Sequence, residues 1–215
     1  MAFGYPVSLE LRGRRAVVVG DEAVRQGKVD GLLQAGAEVT VIAGGPAQAL
    51  AKLKADGGVR VEERSFRPGD LSGAFICVAS SDDPGERAAI FADGKASGAL
   101  VNVMDDIEHC DWAAPAIVRR GDLVLAISTG GRSPALASRL RRELSAQYGP
   151  EWEEALDVLE DVRRETLPAL PDLVERSQRW QEALDLDELI AFVRDGRAGD
   201  ARTALVDRLV GAGAG

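Results

Sequence analysis

Apolar residues fall along this chain in two rhythms, and the change between them comes near residue 115. Ala16–Val19 (AVVV), Glu38–Ala43 (EVTVIA), Ala74–Ala79 (AFICVA) and Ala99–Met104 (ALVNVM) are short, nearly continuous apolar runs, and Val59–Glu63 supplies a further strand. Runs of that length and composition read as strands covered on both faces, the condition of a parallel sheet. Between them lie stretches of helical length: one from the turn at Gly20 to Gly36, one over Ala47–Ala55 behind Gly44-Gly45-Pro46, and one over Pro84–Ser97. Strands alternating with helices imply right-handed crossovers, and such sheets bind ligands at the carboxyl ends of their strands. The loops after Val19, Ala43, Ala79 and Met104 are therefore expected on one rim.

Beyond Pro115 the rhythm changes. Ala116–Arg119 and Leu123–Ser128 flank Arg120-Gly121-Asp122, the pattern of a short antiparallel hairpin. In STGGRSPALASRLRRELSAQYG, Ser133 can cap a helix and Pro134 fits its first turn, while Leu136, Leu140 and Leu144 recur at four-residue spacing. That apolar stripe suits a subunit interface or ordinary core. From Pro150 the period is helical almost throughout, with breaks at Pro168, Pro171 and Gly196. These changes place boundaries at 1–112, 113–147 and 148–215.

Composition narrows the partners. With 215 residues, 46% of them hydrophobic, the chain can bury a sizeable core, and no apolar run approaches the length of a membrane span. The start, MAFGYPVSLELRGRR, lacks the apolar middle of a signal peptide, which points to the cytoplasm and to no membrane partner. Cys77 and Cys110 lack metal-ligand spacing and read as free thiols. A formal net charge of −9 argues against nucleic acid as a partner. The charge is uneven: residues 151–215 hold sixteen Asp and Glu against eight Arg, whereas 113–147 hold six Arg against Asp122 and Glu143. The second stretch fits either an anion-binding surface or a solvated helix face.

Three places carry candidate chemistry. In RRAVVVGDEAVRQGKVDG the dinucleotide pattern G-x-G-x-x-G keeps only Gly20, with Glu22 and Arg25 at the second and third glycine positions. A carboxylate there meets the pyrophosphate with like charge, so the expectation is weakened binding, partly offset by Arg25 or Lys28. In NVMDDIEHCDW, Asp105 stands nearest the rim; Asp106, Glu108 and Asp111 read as solvated loop carboxylates, and His109 as a surface residue without the spacing for a metal site. In Ser128-Thr129-Gly130-Gly131, consecutive glycines ahead of the capped helix make either an anion cradle, with Arg132 adding charge, or a self-satisfied tight turn.

These segments together resemble a known family. YPVSLELRGRRAVVVG, LLQAGAEVTVIA, VASSDDP and, most specifically, ISTGG-x-SP-x-LA-x-x-LR downstream of NV-x-D resemble the precorrin-2 dehydrogenases, a family that includes the amino-terminal half of bacterial siroheme synthase. The motifs cover roughly residues 5–160, and the tail agrees in helical pattern. The resemblance implies an α/β fold, with a Rossmann-like parallel sheet domain followed by a small α+β dimerisation segment and a helical C-terminal domain. It implies NAD-dependent oxidation of precorrin-2 to sirohydrochlorin in siroheme biosynthesis, with Fe2+ as a possible second substrate if the chain also acts as a ferrochelatase (a lyase). Further alternatives are a ferrochelatase with weakened or lost NAD use and a non-catalytic tetrapyrrole-binding protein. It assigns catalysis to Asp105, cofactor contacts to Gly20, Glu22, Ala23, Val24, Gly44, Gly45, Ser81 and Asn102, and substrate contacts to Thr129, Gly130, Gly131 and Arg132, with no protein-held metal. It also implies a homodimer formed through the central segment.

Overall fold

The structure, a computed structural model, describes residues 4–25, 27–44, 51, 53 and 58–211. The chain divides into two compact units, Met1–Ala114 and Pro115–Gly215. In the first, β1 (Arg15–Val19), β2 (Glu38–Ile42), β3 (Val59–Glu62), β4 (Ile76–Ala79) and β5 (Leu100–Val103) form one sheet in the order β3-β2-β1-β4-β5. Every neighbouring pair is parallel. The continuous apolar runs are explained by what covers them. Ala16, Val18, Val39, Val41, Ile76 and Val78 face one buried cluster, shared with Val29 and Leu32 of α2 (Lys28–Gln34). Val17, Val19, Ile42, Cys77, Ala79, Val101 and Val103 face the other, shared with Ile90 of α3 (Pro84–Ser97). Alternate residues of one strand thus serve opposite cores, so no position on a central strand can be polar without cost. Each valine fully buried this way contributes about 1.5 kcal/mol or more.

Turn chemistry sets the boundaries. The Asp83 carboxylate accepts from the Gly85 N–H at 2.8 Å, Pro84 occupies the first helical position, and Gly98 closes α3 with φ 73°. The expected single helix from Gly20 to Gly36 is instead two: α1 (Asp21–Arg25) and α2, separated at Gly27, whose φ of 69° is left-handed. A left-handed residue ends the run of α-helical dihedrals, and only glycine adopts it there without strain. The helix expected over Ala47–Ala55, and Gly45 before it, lie outside the described residues.

The second unit begins with the hairpin β6 (Ala116–Arg120) and β7 (Leu123–Ile127), joined by Gly121-Asp122. It continues through α4 (Pro134–Gln147), α5 (Glu151–Thr166), α6 (Leu173–Ala183), α7 (Leu186–Arg194) and α8 (Ala198–Val210). A third core of Ala155, Val158, Val162, Leu189, Ile190, Val193, Ala201, Leu205 and Leu209 holds α5, α7 and α8 together. Pro168, Pro171 and Gly196 fall between helices as expected. The break between α6 and α7 carries neither proline nor glycine; Asp185 makes it by accepting from the Glu188 N–H at 3.0 Å. On α4, Leu136 is exposed, and Leu140 and Leu144 are only partly covered. Among the described residues no helix is long and apolar enough to cross a membrane.

Candidate functional site

The order β3-β2-β1-β4-β5 reverses direction between β1 and β4, and a crevice opens there outside the carboxyl ends of the strands, as it must in such sheets. It encloses about 730 Å³. Its floor is knit by the strand ends: the Gly20 N–H donates to the Ile42 carbonyl at 2.9 Å, and the Ser80 N–H to the Val19 carbonyl at 2.8 Å. Gly20 has φ 90°, and a Cβ built there would collide with the Ser80 carbonyl oxygen and lie 2.6 Å from its Oγ. The one surviving glycine of the turn is thus fixed by the close approach of the β1 and β4 loops. Ser80 Oγ in turn accepts from the Ala23 N–H at 2.9 Å, anchoring α1 to the end of β4.

Gly20, Glu22, Gly44, Ser81 and Asp105, all expected at the site, border this one crevice. Ala23 is wholly buried and Val24 packs against the core, so their side chains serve α1 rather than the cavity wall. Asn102 does not border the crevice. Its Nδ2 donates to the Trp112 carbonyl at 2.8 Å, where the chain doubles back and Cys110 bridges to Asn102. Thr129, Gly130, Gly131 and Arg132 belong to the second unit. There Gly130 and Gly131 have φ 61° and 79°, the Gly130 N–H donates to Ser128 Oγ at 3.2 Å, and the Arg132 N–H to the Thr129 carbonyl at 3.1 Å. The turn thus supplies hydrogen bonds to itself. Two of the six central arginines are engaged locally: Arg120 Nη2 donates to the Ser145 carbonyl at 2.9 Å, and Arg139 pairs with Glu143 along α4.

Asp105 is exposed at the rim with φ 60°, the only non-glycine left-handed residue among those described. Aspartate tolerates this conformation better than most side chains, and residues so held cluster at functional sites. Of the neighbouring carboxylates Glu108 is exposed, whereas Asp106 and Asp111 are not simply solvated. Asp106 Oδ2 accepts from Arg87 Nε at 2.8 Å and lies 2.9 Å from His109 Nδ1. These contacts, the His109 bond foremost and the Arg87 bond next, hold its carboxyl below the usual range against the opposing effect of burial. Arg87 Nη1 also donates to the Ser81 carbonyl at 3.0 Å. Arg87 and Asp106 thereby clamp the β4 and β5 loops together under Asp105. His109 is partly covered and meets the Phe91 ring edge-on, with centroids 5.5 Å apart. Asp111 accepts from the Val101 N–H at 3.1 Å and pairs with Lys95.

Among the crevice residues that sequence reading did not place at the site are Ser80, Arg87, Arg64 and Asp106, the last read as a solvated carboxylate. A serine closing an apolar strand and an arginine in the first turn of a helix were the available signals for Ser80 and Arg87. Burial pushes the Cys77 thiol far above its ordinary value and raises that of Cys110 as well, and both are free. Among the described residues no group of three His, Cys, Asp or Glu side chains could hold a metal ion.

Two glycines suit the crevice to a nucleotide. Gly20 lets the backbone turn beneath it, and among the described residues no atom lies within 4 Å of a Cβ built on Gly44 at the end of β2. Asp21 and Glu22 border the same space, where they would face the pyrophosphate. Topology and site together define a doubly wound, nucleotide-binding class of α/β protein.

The chain belongs to the family described as putative NAD(P)-binding, which matches residues 7–116; residues 120–147 match the family described as sirohaem biosynthesis protein central. Siroheme synthase of Methylococcus capsulatus is 32% identical over 94% of this chain, and siroheme synthase 1 of Pectobacterium atrosepticum is 35% identical over 95%. The chain spans 42% of the length of each of these relatives. Among solved structures, SirC, a precorrin-2 dehydrogenase, superposes with a TM-score of 0.71 at 27% identity, covering 94% of this chain and 98% of that one. The resemblance to the precorrin-2 dehydrogenases and the expected α/β class are both upheld.

Proposed function

We propose that this chain is an NAD-dependent precorrin-2 dehydrogenase that forms sirohydrochlorin. The observation that carries the reading is that Gly20, at the end of β1, and Asp105, beyond β5, border a single crevice at the switch point of the sheet. When bound, NAD+ supplies a hydride acceptor. Gly20 and the amides of α1 would hold its pyrophosphate, and the open space at Gly44 its adenosine ribose. Oxidation removes one hydride and one proton from the macrocycle, and Asp105 takes the proton. Arg87 and Asp106 fix the loop that presents it. The Thr129–Gly131 turn and Arg132 meet the carboxylates of the substrate, residues 113–147 form the interface of a homodimer, and residues 148–215 form a separate helical layer. The protein acts in the cytoplasm.

The siroheme synthase relatives favour a second reading, in which ferrous iron is also a substrate. Asp105 would then accept pyrrole protons as Fe2+ enters sirohydrochlorin. Mixing purified protein with precorrin-2 and NAD+ and following reduced nicotinamide and sirohydrochlorin by absorbance tests the main reading. Stoichiometric formation of both supports it; no turnover at millimolar NAD+ overturns it. Iron insertion independent of NAD+ establishes the second reading alone.

A further inference from the structure

We propose that Glu62 and Asp70, by holding the guanidinium of Arg64, make this crevice select a dinucleotide with a free ribose 2′-hydroxyl over one bearing a 2′-phosphate. This inference rests on the nucleotide reading above and assigns its specificity. In sheets of this topology the adenosine ribose lies beyond β2, where an acid reads the 2′-hydroxyl or a nearby arginine receives a 2′-phosphate. Here β2 is followed by GGPAQAL, which carries no charge, and then by Lys52, Lys54 and Asp56, which lie outside the described residues. Among the described residues, a charged side chain from beyond the next strand borders the crevice together with Ile42, Ala43 and Gly44: Arg64, two residues past β3.

An arginine at that position would ordinarily favour a 2′-phosphate, because its fork matches the oxygens in a bidentate manner. In this chain the fork is already engaged. Nη1 donates to Asp70 Oδ2 at 2.8 Å and to the Ser65 carbonyl at 3.0 Å; Nη2 donates to Asp70 Oδ1 at 2.8 Å and to Glu62 Oε2. All four terminal N–H groups therefore have acceptors, leaving only Nε of the five donors of an arginine. A 2′-phosphate would have to displace carboxylates and lie against them, whereas a 2′-hydroxyl requires neither. The carboxylates are themselves held. Asp70 Oδ2 accepts from the Arg67 N–H at 2.7 Å, and Glu62 Oε1 lies 3.5 Å from Nε of Arg60, a side chain that is 77% exposed. Asp70 retains little exposure, at 13%, so its bidentate pair with Arg64 is shielded from water on most sides.

Calorimetric titration of the purified protein with NAD+ and with NADP+ at fixed ionic strength tests this, using wild type, Glu62→Gln and Glu62→Gln/Asp70→Asn. Wild type is expected to bind NAD+ at least about tenfold tighter, the equivalent of one charge-assisted hydrogen bond. Each successive variant should narrow that ratio through tighter NADP+ binding, and Arg64→Ala in the double variant should abolish the gain. Glu62→Gln alone keeps the Asp70 pair that fixes the loop, and the melting temperature of each variant verifies folding. Binding of NAD+ with a ratio unmoved in the variants, or equal wild-type affinity for the two nucleotides, overturns this inference alone. Failure of wild type to bind either nucleotide overturns the nucleotide reading and this inference with it.

Discussion

Nε of Arg87 donates to Asp106 Oδ2 at 2.8 Å, joining the first turn of α3 to the loop that carries Asp105. Both side chains are largely covered, at 24% and 18% exposure, and Arg87 also donates to the Ser81 carbonyl. Arg87→Ala therefore leaves Asp106 with one fewer partner and the β4 loop without its brace. The expected cost is ~1–2 kcal/mol in urea unfolding. Dehydrogenase kcat should fall more than KM rises, because Asp105 loses its fixed position rather than its charge.

Asp105→Asn preserves a residue that tolerates left-handed backbone but removes the carboxylate. Stability should be unchanged and NAD+ affinity retained, while kcat falls by about 100-fold or more, the usual weight of a positioned proton acceptor. Retention of full activity would remove Asp105 from catalysis.

At Gly20 both the backbone and the surroundings forbid a side chain. Gly20→Ala must place a Cβ at φ 90° against the Ser80 carbonyl. The strain and clash should destabilise the first unit by about 2 kcal/mol or more and disturb the crevice floor. A measured melting temperature within a degree of wild type would contradict this.

Glu22 borders the crevice in the first turn of α1. Glu22→Gln keeps the shape and removes a negative charge from the wall of the proposed nucleotide crevice, so NAD+ binding should tighten about two- to fivefold, with the gain shrinking as salt is raised.

Asp106 titrates below the ordinary carboxylate range because His109 and Arg87 favour its charged form. A group with a depressed folded pKa contributes stability that is complete above its unfolded value near 3.8 and is lost as pH falls through the folded one. Urea midpoints measured from pH 7 downward should fall steeply below about pH 4 in wild type. The Asp106→Asn variant should start lower and show a shallower decline over the same range.

Much of the fold could be read from local chemistry. Four apolar runs became parallel strands because a strand buried on both faces admits no polar alternation, whereas β3 (VRVE) lies at the sheet edge and alternates. The span of α3 followed from Asp83, Pro84 and Gly98. Where reading failed, the deciding contact was distant. The first helix breaks at Gly27 although its apolar spacing continues past it. Gly94 passes for an ordinary helical residue, yet a Cβ there would meet Val101 Cγ2 on β5 and lie 3.5 Å from Leu71 Cδ1, so α3 lies on the sheet only because that position is bare. Asn102, a cofactor contact by the resemblance, gives its amide to the returning chain at Trp112.

The sequence by itself determined the strand and helix rhythm, the shared rim, and the candidacy of Gly20 and Asp105, because periodicity, turn residues and strand-end loops are properties of neighbouring residues; Gly44 and Ser81 were candidates through the family resemblance. Only the tertiary structure decided that Ser80 closes over Gly20, that Arg87 reaches Asp106 nineteen positions on, and that Arg64 spends its donors on Asp70 and Glu62. Those pairings depend on which strand ends the topology brings side by side. A hydrogen bond a few ångströms long leaves no trace in the spacing of the residues that make it.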